Sequence, residues 1–159
     1  MKDARGRQLA LGMIPYALYV VGVGRGDDVG AYTANWISQA SFEPPLLMLG
    51  VKKDARHHAL IEKHGVLVVN VLGEGQKSLA AAFMRWKDPE PGRIGGHAYT
   101  TGVTGAPILP DAPVSIECRV RRIVPGGDHD VVVAEVVETV TRREARPLLL
   151  SDTGWSYGG

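Results

Sequence analysis

Cysteine is nearly absent from this sequence. Cys118 is the only one, so the chain can close no internal disulfide and offers no cysteine cluster to a metal. That usage fits a reducing compartment. Net charge is nearly absent as well, with 18 Lys and Arg against 17 Asp and Glu. Nucleic-acid binders usually carry a basic stripe, so no nucleic-acid partner is expected. No block of like charge is long enough to read as a disordered tail. No stretch approaches the roughly 20 uninterrupted apolar residues of a membrane span. The start, Met1 to Arg7, is basic and Leu9 to Val23 is mostly apolar, like the first two parts of a signal peptide. Gly12, Pro15, Tyr16 and Tyr19 interrupt that run, and its removal would delete the first strand. The expected location is therefore the cytoplasm. No internal repeat is visible. The 159 residues suit a single domain over 1–159. A chain of this size buries roughly 70% of its unfolded surface and needs no staples.

What is present reads mainly as β-structure. Ala17 to Val23 is rich in β-branched and aromatic residues and forms a first strand. Arg25 to Asp28 is a turn, and Val29 to Ala34 returns as the second strand of a hairpin. Trp36 to Phe42 stays extended until Pro44-Pro45 breaks it. Leu46 to Val51 and Val66 to Leu72 are apolar runs of strand length and read as buried strands. Between them Asp54 is a candidate helix N-cap and Gly65 a C-terminal stop, with Leu60, Ile61 and His64 on one face. Gln76 to Arg85 reads as a second helix, with Leu79, Ala82, Phe83 and Trp86 at helical spacing. Lys87 to Gly105 is a long loop. Val114, Ile116, Cys118 and Val120 then alternate with Ser115, Glu117, Arg119 and Arg121. Pro125 to Asp128 turns the chain into a long strand over Val131 to Val140, and Leu148 to Leu150 adds a short last strand. Trp155 to Gly159 ends the chain. Hairpins outnumber strand–helix–strand units, so the expected fold is a β-rich barrel with inserted helices.

Several familiar motifs fail on inspection. Gly22, Gly24 and Gly26 fall on every second residue, and Asp27 stands where the dinucleotide fingerprint needs its third glycine. A nicotinamide or flavin site must therefore be built differently. His57, His58 and His64 lack the i, i+4 spacing and the acid of a helical metal site, so no metal ligation is expected. Ser38 and Ser41 have no His–Asp pair marked by a signature and no Gly-x-Ser-x-Gly elbow, which leaves hydrolase chemistry unsupported. Lys52, Lys53, Arg56 and His57 cluster where a strand ends and a helix starts. Free backbone N–H groups and the helix dipole favour a phosphate there; solvated surface charge is the plain alternative. Thr33, Asn35, Ser38 and Ser41 are either polar positions on a half-exposed strand or donors and acceptors for a planar ligand. In Gly127-Asp128-His129 the glycine and aspartate meet the needs of a turn. No turn type demands imidazole, which leaves His129 open to a functional role.

Four of these stretches, taken in order, resemble the flavin reductase-like, FMN-binding split-barrel family. Thr33 to Pro45 (TANWISQASFEPP) resembles its flavin-binding segment, and Val51-Lys52-Lys53 through His57-His58 its phosphate-binding segment. Val69 to Leu72 with Gln76 and Phe83 resembles the strand and helix that follow. Gly127-Asp128-His129 with Glu135-Val136 resembles the motif near its nicotinamide site, and Pro107 to Leu109 and Glu117-Cys118 also fit. The likeness runs from Ile14 to Tyr157. Where the family's phosphate segment is rich in Ser and Thr, this chain has Lys53, Asp54, Ala55 and His57, and Trp36 replaces a smaller residue.

The resemblance implies a mainly β split barrel holding FMN at a homodimer interface. Thr33, Ala34, Asn35 and Trp36, with Gln39, Ala40 and Ser41, would face the flavin. Val51, Lys52 and Lys53, with Arg56, His57 and His58, would hold its phosphate end. Gly127, Asp128 and His129 would lie on the nicotinamide side. The implied activity is an NAD(P)H-dependent flavin reductase passing hydride from NADH or NADPH to FMN. The flavin supplies that chemistry, which needs reacting atoms aligned about 3–3.5 Å apart and no catalytic acid or base. Two alternatives remain. One is an FMN-bound electron carrier served by a protein donor, which the opening Ile14 to Val21 favours; it resembles relatives that work as electron carriers or as flavin domains beside rubredoxin. The other is a flavin-binding protein without turnover. A redox protein or a monooxygenase is a further implied partner.

Overall fold

Residues 3–158 are described by a computed structural model. Met1 and Lys2 of the basic start and Gly159 of the closing segment lie outside the described residues.

The chain opens with helix α1 (Ala4–Gly12) and a hairpin of β1 (Tyr19–Arg25) and β2 (Asp28–Ala34). β3 (Ile37–Ser41) and β4 (Leu46–Lys52) form a second hairpin, followed by α2 (Arg56–His64), β5 (Val66–Val71) and α3 (Lys77–Ala82). Four two-residue strands lie in the long connection: β6 (Arg93–Ile94), β7 (His97–Ala98), β8 (Thr100–Thr101) and β9 (Pro107–Ile108). The long hairpin of β10 (Val114–Val124) and β11 (His129–Thr141) and a short 3-10 turn (Leu150–Asp152) complete the order.

Seven strands make one antiparallel sheet in the order β2-β1-β5-β10-β11-β4-β3. β2 and β3 are its two edges, yet only Asn35 and Trp36 join them in the chain. The sheet must therefore coil until its edges approach each other, which produces a barrel with a slit. The mainly β fold with inserted helices agrees with the sequence reading.

Period-2 alternation sorts the strands between two cores. Val21 and Val23 of β1, Leu67 and Val69 of β5, Cys118 of β10 and Val132 and Ala134 of β11 fill the barrel, and Leu60 and Ile61 of α2 pack among them. Val20 of β1 and Val29 and Ala31 of β2 point the other way, under Leu79, Ala80 and Phe83. β1 and β5 are thus covered on both faces, as their unbroken apolar runs imply. Burial, and then the neighbouring Glu117 charge, push the Cys118 thiol up to about 12.

Several elements differ from the sequence reading. Of the polar residues that alternate along β10, Arg119 and Arg121 are exposed, whereas Ser115 and Glu117 are buried under the 102–109 stretch. Glu117 accepts hydrogen bonds from the Val103 N–H (3.2 Å), the Thr104 N–H (2.8 Å) and the Thr104 hydroxyl (2.7 Å). The Ser115 hydroxyl donates to Asn70 Oδ1 (2.8 Å), which also accepts from the Leu109 N–H (2.9 Å). Asn70, a polar interruption in an apolar strand, thereby anchors a connection that lacks extended pairing of its own. β4 is buried only at Leu49 and Val51, since Met48 faces solvent. Asp54 does not cap α2; Ala55 takes the cap position with no side-chain bond, whereas Gly65 ends the helix at φ 65° as expected. α3 is shorter than the periodicity suggests, and Gln76 instead ties Gly73 to Asp111. Leu148 to Leu150 forms a single bridge, Ala17 to Leu149, before the 3-10 turn. α1 was not foreseen; Asp3 caps it and none of its residues is buried. Among the described residues no helix is long and apolar enough to cross a membrane.

Glu117→Ala leaves three donors without their acceptor and is expected to lower stability by about 2–4 kcal/mol. Glu117→Gln, which keeps one carbonyl oxygen, loses less. Urea unfolding of the three proteins measures the order.

Candidate functional site

A cavity of about 240 Å³ opens at the slit of the barrel. The end of β2 supplies Tyr32, Thr33 and Ala34, and the β2–β3 connection supplies Asn35 and Trp36. Gly50 and Lys52 of β4, His57 of α2 and His129 of β11 continue the lining. Trp155, Ser156 and Tyr157 of the closing segment lie across it, with Leu18, Met84 and Leu150 at the side.

The structure brings together seven of the residues singled out from sequence: Thr33, Ala34, Asn35, Trp36, Lys52, His57 and His129. The others lie elsewhere. Gln39 and Ala40 are exposed on edge strand β3, and Ser41 ends it half-buried. Val51 points into the barrel core. The Lys53 ammonium donates to Gly126 O (3.0 Å) and pairs with Asp130 (3.3 Å). Arg56 pairs with Asp88 at 2.8 Å. His58 is buried against Asp130, Nε2 to Oδ2 2.8 Å. Gly127 and Asp128 form the exposed tip of the β10–β11 turn. Lys52 is thus the one Lys or Arg in the cavity lining among the described residues.

The lining residues that sequence reasoning missed are Tyr32, Gly50 and the Trp155–Tyr157 segment, together with Leu18, Met84 and Leu150 at the side. Tyr32 precedes the Thr-Ala pair, and the alternation that buries Val21 opposite it also turns Tyr32 inward. Gly50 has a steric role: a Cβ there would sit 2.9 Å from the Trp36 ring, so only glycine lets the indole lie on β4. Nothing local in the sequence announces that the closing segment folds back. It does so through Asn35, whose amide donates to Tyr157 O (3.5 Å), and through a 3.1 Å contact between His129 Nε2 and the Tyr157 hydroxyl.

The polar groups of the site divide into satisfied and unsatisfied. The Thr33 hydroxyl is spent on Ala80 O at 2.6 Å. His129 Nδ1 lies 2.9 Å from Asp128 Oδ1. By contrast, the Tyr32 hydroxyl and the Trp36 indole N–H are buried with no partner. A buried polar group left unpaired costs about 1–3 kcal/mol, so both are hydrogen-bonding groups held ready beside a cavity.

Tyr32 and His57 stack with ring centroids 3.6 Å apart and planes 8° from parallel. Burial, and then the Tyr157 charge, push the Tyr32 phenol up, so it remains a donor. Burial first, then the charges of His58 and His129, lower His57 from 6.5 to about 4. At neutral pH this wall presents a phenol and a neutral imidazole. The unfolded chain takes up the His57 proton near 6.5, whereas the folded chain resists it to about 4. Protons therefore favour the unfolded state in that window, and stability falls as pH drops through it. This group is expected to remove up to about 3 kcal/mol between pH 7 and pH 4. His57→Phe, which keeps a stacked ring, should lose correspondingly less, as read by urea unfolding across the range.

Comparison with known proteins places this geometry. The family model described as the flavin reductase like domain matches residues 11–158. NADH-dependent FMN reductase AsuE2 of Streptomyces nodosus subsp. asukaensis is 33% identical over 149 residues, covering 91% of this chain and 79% of that protein. Diflavin flavoprotein A 1 of Synechocystis sp. is 35% identical over 128 residues, covering 80% of this chain and 22% of that protein. The chain also spans 64% of FMN reductase (NADH) RutF of Pseudomonas syringae, at 34% identity. Among solved structures, NADH:FAD oxidoreductase SgcE6 of Streptomyces globisporus superposes with a TM-score of 0.80 at 29% identity, covering 93% of this chain and 87% of that one. A match that runs from the end of α1 through the closing segment takes in every wall of the slit cavity, and on it we conclude that the chain belongs to the flavin reductase like domain family.

Proposed function

We propose that this protein binds FMN in the slit cavity and passes a hydride to it from NADH or NADPH. The observation that carries the reading is a cavity walled by stacked, uncharged rings with two buried hydrogen-bonding groups lacking partners. Those features suit a planar heterocycle with polar edges. The names of AsuE2 and RutF, which describe NADH-dependent FMN reductases, support the choice of flavin and donor.

FMN supplies the hydride-accepting ring when it is bound. The chain's own residues bind and orient. Tyr32 and the Trp36 N–H offer hydrogen bonds, and Ala34 and the Trp36 ring offer apolar surface. Lys52, near the start of α2, holds the phosphate end through its charge and the free N–H groups of the helix start. His129, set between Asp128 and Tyr157, faces the nicotinamide side. No side chain is required to move a proton for hydride transfer.

A cavity of about 240 Å³ falls below the 300–1,000 Å³ of pockets that enclose a ligand of this size. A second copy of the chain completes the site in this reading, and the protein is a homodimer. The single domain over 1–159 and a cytoplasmic location suit a chain whose one thiol stays buried and protonated. A redox protein or a monooxygenase receives the electrons. A second reading rests on the diflavin flavoproteins, which the chain matches over 22% of their length. There the domain serves as a flavin module of a longer electron-transfer path.

Three outcomes are expected. Purified protein with FMN oxidises NADH or NADPH in a steady-state absorbance assay; no oxidation, with FMN bound and reducible by a protein donor, selects the second reading. Lys52→Ala weakens FMN about 10-fold, the worth of one charge-assisted bond, and leaves riboflavin unchanged in a fluorescence titration. Sedimentation with FMN bound gives a dimer; a monomer refutes the shared site.

A further inference from the structure

His57 and His129 both line the cavity, and neither is fixed there by a direct bond to the other's element. What connects their elements lies behind the wall, in the residues next to them in sequence. Strand alternation sends His129 into the cavity and Asp130 to the opposite side, where it is buried. On α2 the next residue after His57 is His58, also buried. Behind the wall, His58 Nε2 and Asp130 Oδ2 are 2.8 Å apart. Asp130 Oδ1 accepts from the Gly126 N–H (3.1 Å) and pairs with the Lys53 ammonium (3.3 Å). Lys53 returns to the same turn through Gly126 O (3.0 Å). His58 Nδ1 lies 3.5 Å from Glu62 Oε2 and so leans on its own helix.

One carboxylate therefore joins three pieces: the β10–β11 turn that precedes His129, the end of β4 at Lys53, and the first turn of α2 that carries His57. Its hydrogen bonds from Gly126, and then from His58 and Lys53, hold the Asp130 carboxyl below the usual range, so it is charged in this role. No atom of Asp130 or His58 belongs to the cavity lining.

We propose that Asp130 is a positioning residue that sets the separation of His57 and His129 in the cavity lining by bonding to His58. The inference rests on the reductase reading for its kinetic consequence, but not for its structural one. Removing the clamp lets the start of α2 and the β10–β11 turn move independently, and small displacements of groups that align reactants are costly.

The test compares Asp130→Ala, Asp130→Asn, His58→Ala and the Asp130→Ala/His58→Ala double variant. The chain has five histidines, few enough for each imidazole to be assigned by NMR in flavin-free protein at fixed pH. In folded Asp130→Ala and in His58→Ala, the ring resonances of both His57 and His129 are expected to shift. With FMN and NADH, kcat falls about 10-fold or more in each. The double variant is no worse than either single one, because both remove one link. Asp130→Asn, which still offers an oxygen to Gly126 and Lys53 and an amide to His58, recovers kcat to within about 3-fold. A merely structural role would lower the unfolding midpoint, leave the folded His129 and His57 resonances in place, and give additive kinetic losses. Unmoved resonances in folded Asp130→Ala or additivity in the cycle overturns the proposal. If Asp130→Ala does not fold, His58→Ala and Asp130→Asn decide by the same resonances. If the wild type oxidises no nicotinamide, the reductase reading falls while the resonances still judge the clamp.

Discussion

The two-residue span between β2 and β3 governs this molecule. Asn35 and Trp36 connect strands that sit at opposite edges of a seven-stranded sheet. A connection so short forces the edges together, and their failure to pair leaves a slit. Trp36 is seated on Gly50 of β4 and held there by the Gly50 N–H to Trp36 O bond of 2.9 Å. The cavity is thus a by-product of barrel closure. The same residues end one strand, start the next and line the cavity.

Away from the slit the structure relies on buried polar anchors rather than on regular pairing. Asn70, Ser115 and Glu117 together fix a connection that has only two-residue strands of its own. Each is fully satisfied, which turns groups that would be costly in an apolar interior into specific fasteners. Around the cavity Thr33, Asn35 and His129 have partners, whereas the Tyr32 hydroxyl and the Trp36 indole N–H have none in the protein.

Much of this was legible in the sequence, for definable reasons. The apolar runs of β1 and β5 announce strands covered on both sides, and Gly65 announces the end of α2, because burial and left-handed backbone leave local signatures. The Thr33–Trp36 segment, marked in the sequence by its likeness to a family segment, lines the cavity. The cationic cluster was misleading as a unit. Sequence proximity of Lys52, Lys53, Arg56 and His57 says nothing of their distant partners: Asp88 is 32 residues from Arg56, and Asp130, which pairs with Lys53, is 72 from the neighbouring His58. The buried face of β10 was hidden likewise, since a polar alternation reads as solvent-facing until the covering loop is known. The fold-back of Tyr157 over Asn35 joins positions 122 residues apart and leaves no local trace.

Cys118 sits in the centre of the barrel with its thiol pushed up to about 12. Sulfur reacts with oxidants and electrophiles as thiolate, and only where they can reach it. Reduced flavin in air generates peroxide, the reagent most damaging to an accessible thiolate. Held protonated and out of reach, the chain's one cysteine is a spectator to such chemistry. Among the described residues no thiol is exposed, so two copies meeting at high concentration have none through which to cross-link.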